Sequence, residues 1–204
     1  MKDKITKVSI DLFQKKGFTE TSVQDICDTL GVTKGTFYHY FTSKEELLLD
    51  IHLGYIESIL RQQELILNDD GKNWRTKLYD VVYMLLHSIE GQGASARVFF
   101  REMRNLSDER LAEVIPKRTQ FRLNIESLLR QGVGSGELRK NLDVEIVALG
   151  ILGMTNWSYQ WFHPSGRLSD KEVASVFVDM VLKGIESSNT DSAEASNRML
   201  KSPG

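Results

Sequence analysis

Apolar residues recur along this chain at helical spacing, and no alternating strand pattern persists beyond a few residues. Ile5, Val8, Ile10, Leu12 and Phe13 predict a first helix, stopped at Gly17. Ser22-Val-Gln-Asp25 has capping-box spacing and opens a short helix to Leu30, where Gly31 breaks it. Thr33 caps a second short helix ending near Phe41, and Ser43-Lys-Glu-Glu46 opens a long one towards Leu67. After an Asn68–Gly71 loop, helices are expected at Trp74–Ile89, Ala94–Asn105, Asp108–Ile115, Thr119–Gln131, Val144–Phe162 and Asp170–Ser187. Gly132–Gly136 and His163–Gly166 are the clearest breakers. From Ser188 onward small polar residues replace apolar ones, which predicts a disordered tail over 188–204.

Two of these helices carry unusually broad apolar surfaces. Val144–Phe162 is apolar nearly all round, with Ile146, Gly150, Gly153, Trp157 and Trp161 on one side and Ala148, Leu152 and Tyr159 on another. The last helix has a stripe of Val173, Val176, Phe177, Met180 and Val181, widened by Ala174, Val178, Leu182 and Ile185. Helices of this kind need cover on more than one side, and a second copy across a two-fold axis supplies it: the expected homodimer runs through about 144–162 and 170–187.

Composition adds mainly exclusions. The chain has 204 residues, a net charge of -2 and one cysteine, so there is neither a polycationic surface nor an internal disulfide framework. No Cys/His cluster has zinc spacing, and no cofactor or metal is expected. The uncharged run Ile146–Gly166 is interrupted by Asn156, Ser158, Gln160 and His163, which argues for a buried helix instead of a membrane span. The N-terminus has no apolar signal region, and the expected location is the cytoplasm. Neither a carboxylate cluster nor a paired nucleophile and base is evident, so no enzymatic role is expected.

The candidate chemistry lies in Thr33–Leu47, TKGTFYHYFTSKEEL. Two short helices joined by Leu30-Gly-Val-Thr33 form a helix-turn-helix, whose second helix enters the major groove. Phe37 and Phe41, four apart, face inward, while Tyr38, His39 and Tyr40 sweep the outside. For His39 and Tyr40, packing on the neighbouring helix is the competing reading. Gly35 allows close backbone approach, and Thr36 offers a hydroxyl and a methyl. Ser22, Thr33 and Lys44 sit at helix N-termini, where the dipole favours phosphate. Met1–Leu47 holds seven lysines and seven acids and no arginine, so base reading falls to Lys34, Thr36 and Tyr38.

The string LFQKKGFTETSVQDICDTLGVTKGTFYHYFTSKEEL, with the match running from Ile5 to about Leu48, resembles the tetracycline-repressor (TetR) family of bacterial regulators. The resemblance implies an all-α dimer: a three-helix DNA-binding domain over 1–47 and a helical ligand-binding and dimerisation domain over 48–187. It also implies DNA contact by Ser22, Thr33, Lys34, Gly35, Thr36, Tyr38, His39 and Lys44, to which Tyr40 is added on its outward position. A pseudo-palindromic operator with half-sites roughly 34–36 Å apart follows from two-fold symmetry. A ligand-responsive repressor is the expected role; a non-specific architectural DNA binder and a DNA-acting enzyme are the rivals.

The ligand side is less legible. Arg97, Arg101 and Arg104 lie within about 60° of one another on a helix and could clamp phosphate, with Phe100 between them. The same three could equally be a solvated face. Asn156 and Gln160 place amides on an apolar helix, to be met by a ligand or by the chain's own backbone. MTNWSYQWFHPSGRLS, Met154–Ser169, is similar to a segment of family members that respond to acyl-CoA thioesters, which adds Trp157 and Trp161 as ligand walls.

Overall fold

A computed structural model describes residues 1–185. Among these residues the structure is helical throughout, with eight α-helices and two short 3-10 turns. The expected tail at 188–204 lies outside the described residues.

Local chemistry sets the first four helices. Helix α1 (Lys2–Lys16) buries Ile5, Ser9 and Phe13 and ends at Gly17, whose φ of 87° lies where only glycine is comfortable. Helix α2 (Val23–Leu30) opens with the complete Ser22/Asp25 capping box, in which each residue bonds the other's backbone N–H. It closes at Gly31, which is left-handed at φ 66°. Helix α3 (Lys34–Tyr40) is capped by Thr33, and α4 (Lys44–Leu67) by Ser43. Phe13, Ile26, Cys27, Phe37, Phe41, Leu47 and Leu48 form the core that holds this domain together.

Helix α5 runs unbroken from Trp74 to Arg101, correcting the expected gap between Ile89 and Ala94. Gly91 and Gly93 cost about 1 kcal/mol each in a helix, but α5 packs against α1, α4, α6 and α8, and that burial outweighs them. A 3-10 turn at Met103–Asn105 leads to α6 (Asp108–Gly134), also continuous where a break at Pro116–Arg118 was expected. Pro116 lies on the exposed side, so its missing N–H and its ring are accommodated on the solvent face. At Gly132 an added Cβ would stand 2.8 Å from both Leu138 and Trp74, so glycine is required there for close packing.

Helix α7 (Val144–Trp157) is shorter than expected, passing into a 3-10 turn at Ser158–Gln160; α8 (Asp170–Ile185) follows. Within the chain one side of α7 is packed, with Ala148, Ile151 and Thr155 buried, while its other side is open: Ile146 and Trp157 are each 62% exposed. Val176 and Met180 of α8 continue this exposed apolar surface. Among the described residues no helix is long and apolar enough to cross a membrane.

Candidate nucleic-acid interface and effector cavity

Phe37 anchors α3 at zero exposure, and Phe41 behind it is also buried, their ring centroids 5.9 Å apart. This fixes which side of the helix looks outward. Tyr38 is 52% exposed, Tyr40 36% exposed, and Lys34, Gly35 and His39 are exposed with them. His39 packs edge-on against Tyr40 at 4.8 Å, so these two rings brace each other at the surface instead of entering the core. Thr33 Oγ1 accepts the Thr36 N–H at 3.3 Å and lies 3.2 Å from the Thr36 hydroxyl. The Ser22 hydroxyl donates to Asp25 at 2.7 Å, which leaves it on the surface but already engaged. Nothing inside the protein demands a glycine at 35. An added Cβ would meet only Thr33 Oγ1, at an ordinary 3.5 Å.

Lys44 departs from the expectation of a phosphate contact. Its Nζ turns inward, donating to Phe18 O and Thr21 O at 2.7 Å each and standing 4.2 Å from the centre of the Phe18 ring. Burial lowers its pKa, partly offset by Glu20 and Asp25. Lys44 therefore fastens the α1–α2 turn to the start of α4, and Lys34 is left as the cation on the outer face of α3.

One residue beyond Lys44, Glu45 reaches the second domain. Its Oε1 accepts the Ser107 backbone N–H at 2.8 Å and lies 3.3 Å from Arg110 Nε. The Ser107 N–H, with Arg110 nearby, holds the Glu45 carboxyl below its usual range. Ser107 is the N-cap residue of α6, and its own side chain makes no cap bond, so the carboxylate of one domain helps tie down the first turn of a helix in the other. A second link runs from Arg97, which donates to Gln14 of α1 at 3.4 Å and to Tyr159 O at 2.8 Å.

Between α4, α5, α6 and α7 lies a cavity of about 240 Å³. Ile56, Ile59, Phe99, Phe100, Ile115, Phe121, Leu149 and Leu152 form its apolar walls, and Arg118, Thr119, Arg122 and Asn156 are its polar groups. Of the expected ligand residues, Phe100 and Asn156 line it; Phe100 also stacks on Tyr159 at 5.3 Å and 6°. The others lie elsewhere. Arg97 is the pin just described, Arg101 donates to Gln160 Oε1 at 3.1 Å, and Arg104 is exposed in the 3-10 turn. Trp157 faces outward on the open side of α7. Trp161 leans on Phe162 and Phe177 and belongs to a second cavity, of about 380 Å³, with His163, Arg167 and Val176.

The arginines at the first cavity were missed because the expected break at Pro116 hid their spacing. Read as one helix, Ile115, Arg118, Thr119 and Arg122 fall at i, i+3, i+4 and i+7 on a single face. Arg122 is neutralised by Glu126 and by Glu145, the latter at 2.8 Å, and Glu126 is also bonded to Arg130 at 3.0 Å. Behind the cavity His52 is fully buried, its Nδ1 2.8 Å from Leu48 O and its ring 5.2 Å from Phe99; burial pushes its pKa down.

Two family descriptions match consecutive segments of the chain. Residues 5–51 match the bacterial regulatory proteins of the tetR family, and residues 71–185 match the tetracyclin repressor-like C-terminal domain. The HTH-type transcriptional repressor KstR2 of Mycolicibacterium smegmatis is 28% identical over 93% of each chain. The structure of the ketosteroid transcriptional regulator KstR2 of Mycobacterium tuberculosis superposes with a TM-score of 0.81 at 26% identity, over 92% of this chain and 95% of that one. AibR in complex with isovaleryl coenzyme A and operator DNA superposes with a TM-score of 0.78 at 26% identity, over 88% of this chain and 96% of that one. With both matched segments in chain order and the second alone covering more than half its length, the chain belongs to the tetR family of bacterial regulators.

Proposed function

We propose that the protein is a cytoplasmic, effector-gated transcriptional repressor that binds a pseudo-palindromic operator as a homodimer. The outer face of α3 carries this reading: a helix anchored by Phe37 presents Lys34, Gly35, Thr36, Tyr38 and His39 together to the outside. The relatives named transcriptional repressors, and the neighbour solved with operator DNA, support it.

The open side of α7 supports the dimer. Gly150 and Gly153 have no neighbouring atom within 4 Å of a Cβ placed there, so the chain itself gives no packing reason for two glycines in mid-helix. A helix from a second copy, approaching closely beside Ile146, Leu149 and Trp157, supplies the reason and covers the apolar surface.

The effector reading follows from the 240 Å³ cavity, and an acyl-CoA-like molecule is favoured by the likeness to AibR with isovaleryl coenzyme A. Helix α6 lines the cavity with Ile115, Arg118, Thr119 and Arg122 and is held at its start by Glu45 of the DNA-binding domain. An occupant that repositions α6 therefore pulls on the base of α4, and a ~2.7 kcal/mol preference for the displaced arrangement lowers operator affinity about a hundredfold.

The test pairs mass photometry with gel shifts on a palindromic operator. Tyr38→Ala is expected to weaken operator binding while leaving the dimer intact. Normal binding by Tyr38→Ala, or a monomeric wild type indifferent to duplex symmetry, refutes the reading.

A further inference from the structure

The two arginines at the cavity are not equivalent. Arg122 has two carboxylates on it, Glu126 and Glu145, and its charge is matched inside the protein. Arg118 has none: among the described residues no carboxylate forms an ion pair with it, and its one side-chain hydrogen bond goes to the thioether of Met103, Nη1 to Sδ 2.8 Å. A thioether is a weak acceptor, while a guanidinium offers five donors in a planar fork. The guanidinium also lies over the Phe99 ring, 5.7 Å from its centre, so its orientation is held by an aromatic face that offers it no counter-charge. The protein around it removes part of its hydration and lowers its pKa, and the side chain remains exposed to solvent. Arg118 is thus a solvent-reached charge beside an apolar chamber, with no carboxylate partner among the described residues.

We propose that Arg118 is the anion-recognising residue of this cavity, and that the effector is an amphiphile with an apolar body and one acidic oxygen group, a carboxylate or a phosphate, seated on its guanidinium fork. This inference rests on the effector-gated reading above and narrows it. The apolar body lies against Ile56, Ile59 and Phe100, and Asn156 on the facing helix provides an amide for a carbonyl or hydroxyl along the body. The volume of about 240 Å³ suits a medium-sized body and leaves a bulkier acidic headgroup to sit towards the mouth. A neutral isostere offers the guanidinium no counter-charge, and this is how the site discriminates between acid and ester.

The test measures direct binding by calorimetry on the full-length protein without DNA, so its outcome is independent of operator binding. The probes are octanoate, methyl octanoate and octanoyl-CoA, against wild type, Arg118→Met and, as control, Arg101→Met. Wild type is expected to favour at least one anionic probe over the methyl ester by about tenfold or more. In Arg118→Met that preference falls to about one while ester affinity is unchanged, and Arg101→Met behaves as wild type. Loss with octanoate identifies a carboxylate, and loss with octanoyl-CoA alone identifies a phosphate. Should Arg118→Met fold poorly, Arg118→Lys keeps the charge without the planar fork and is expected to lose anion affinity severalfold. The proposal is overturned if ester and anions bind wild type equally, if no anion binds at its solubility limit, or if both Arg118 variants bind anions as wild type does. A ligand-free protein that fails to bind any operator counts against the regulator reading alone.

Discussion

Replacing Lys44 by methionine separates two roles that the sequence alone leaves joined. A phosphate contact predicts that the mutation leaves stability alone and flattens the salt dependence of operator binding. With two copies per operator at ~0.9 in slope each, log K against log salt would become shallower by about 1.8. The geometry predicts the opposite. Two hydrogen bonds from an ammonium to Phe18 O and Thr21 O are removed, together with a cation–ring contact of 4.2 Å to Phe18. Charge-assisted bonds are worth roughly 1.5–3 kcal/mol each and the ring contact about 0.5–1 kcal/mol. Phe18 is only half-buried, so its carbonyl can rehydrate, whereas Thr21 is fully buried; the ammonium no longer bears the desolvation that lowers its pKa. The net loss expected is therefore about 2–3 kcal/mol, which for a chain of this size moves Tm down by about 4–12 °C. Thermal melts at fixed protein concentration, paired with gel shifts between about 50 and 200 mM salt, read both quantities. Unchanged Tm with a shallower slope would refute the inward placement of Lys44.

Three further outcomes are expected. Gly35→Ala should raise stability by about 0.5–1 kcal/mol, since its Cβ has room and helix propensity improves, yet weaken operator binding about tenfold or more by blocking close approach; melts and gel shifts decide, and unimpaired binding refutes the role of Gly35. Glu45→Gln keeps the acceptor for the Ser107 N–H but loses the charge opposite Arg110, so operator affinity without effector should hold within about threefold, while the effector concentration needed for release rises. His52 has its pKa lowered by burial, so the unfolded chain takes up a proton that the fold resists. Stability should fall as pH drops below the ordinary histidine value of about 6.5, and His52→Leu should flatten that decline in melts between about pH 7.5 and 5.5.

The first four helices were legible because their ends are set by short-range chemistry. Ser22, Thr33 and Ser43 each bond a backbone N–H three residues on, and Gly17 and Gly31 take positive φ, signals readable in a window of four residues. The larger domain was less so. Gly91 and Gly93 break helices in isolation, but packing along α5 overrides their propensity, and Pro116 sits on the one face where α6 tolerates it. From those two false breaks came the misplaced arginines. Arg97 and Arg101 lie on α5 and Arg104 in the 3-10 turn beyond it, and none lines the first cavity, whereas Arg118 and Arg122 do line it on a stretch read as interrupted. Lys44 shows the remaining limit: its position next to the reading helix is plain from sequence, but the direction of a long side chain depends on carbonyls 26 and 23 residues away.

Pro116 has one mechanical consequence. It removes the amide that would bond to the Ala112 carbonyl, so α6 has a rung missing between the turn held by Glu45 and the turns that carry Arg118 and Arg122. Flexing the rod there ruptures one contact fewer than flexing it elsewhere, so displacement arriving from either end concentrates at that joint. On the effector-gated proposal, the proline would set how much of a push in the chamber is spent as curvature and how much arrives at the operator.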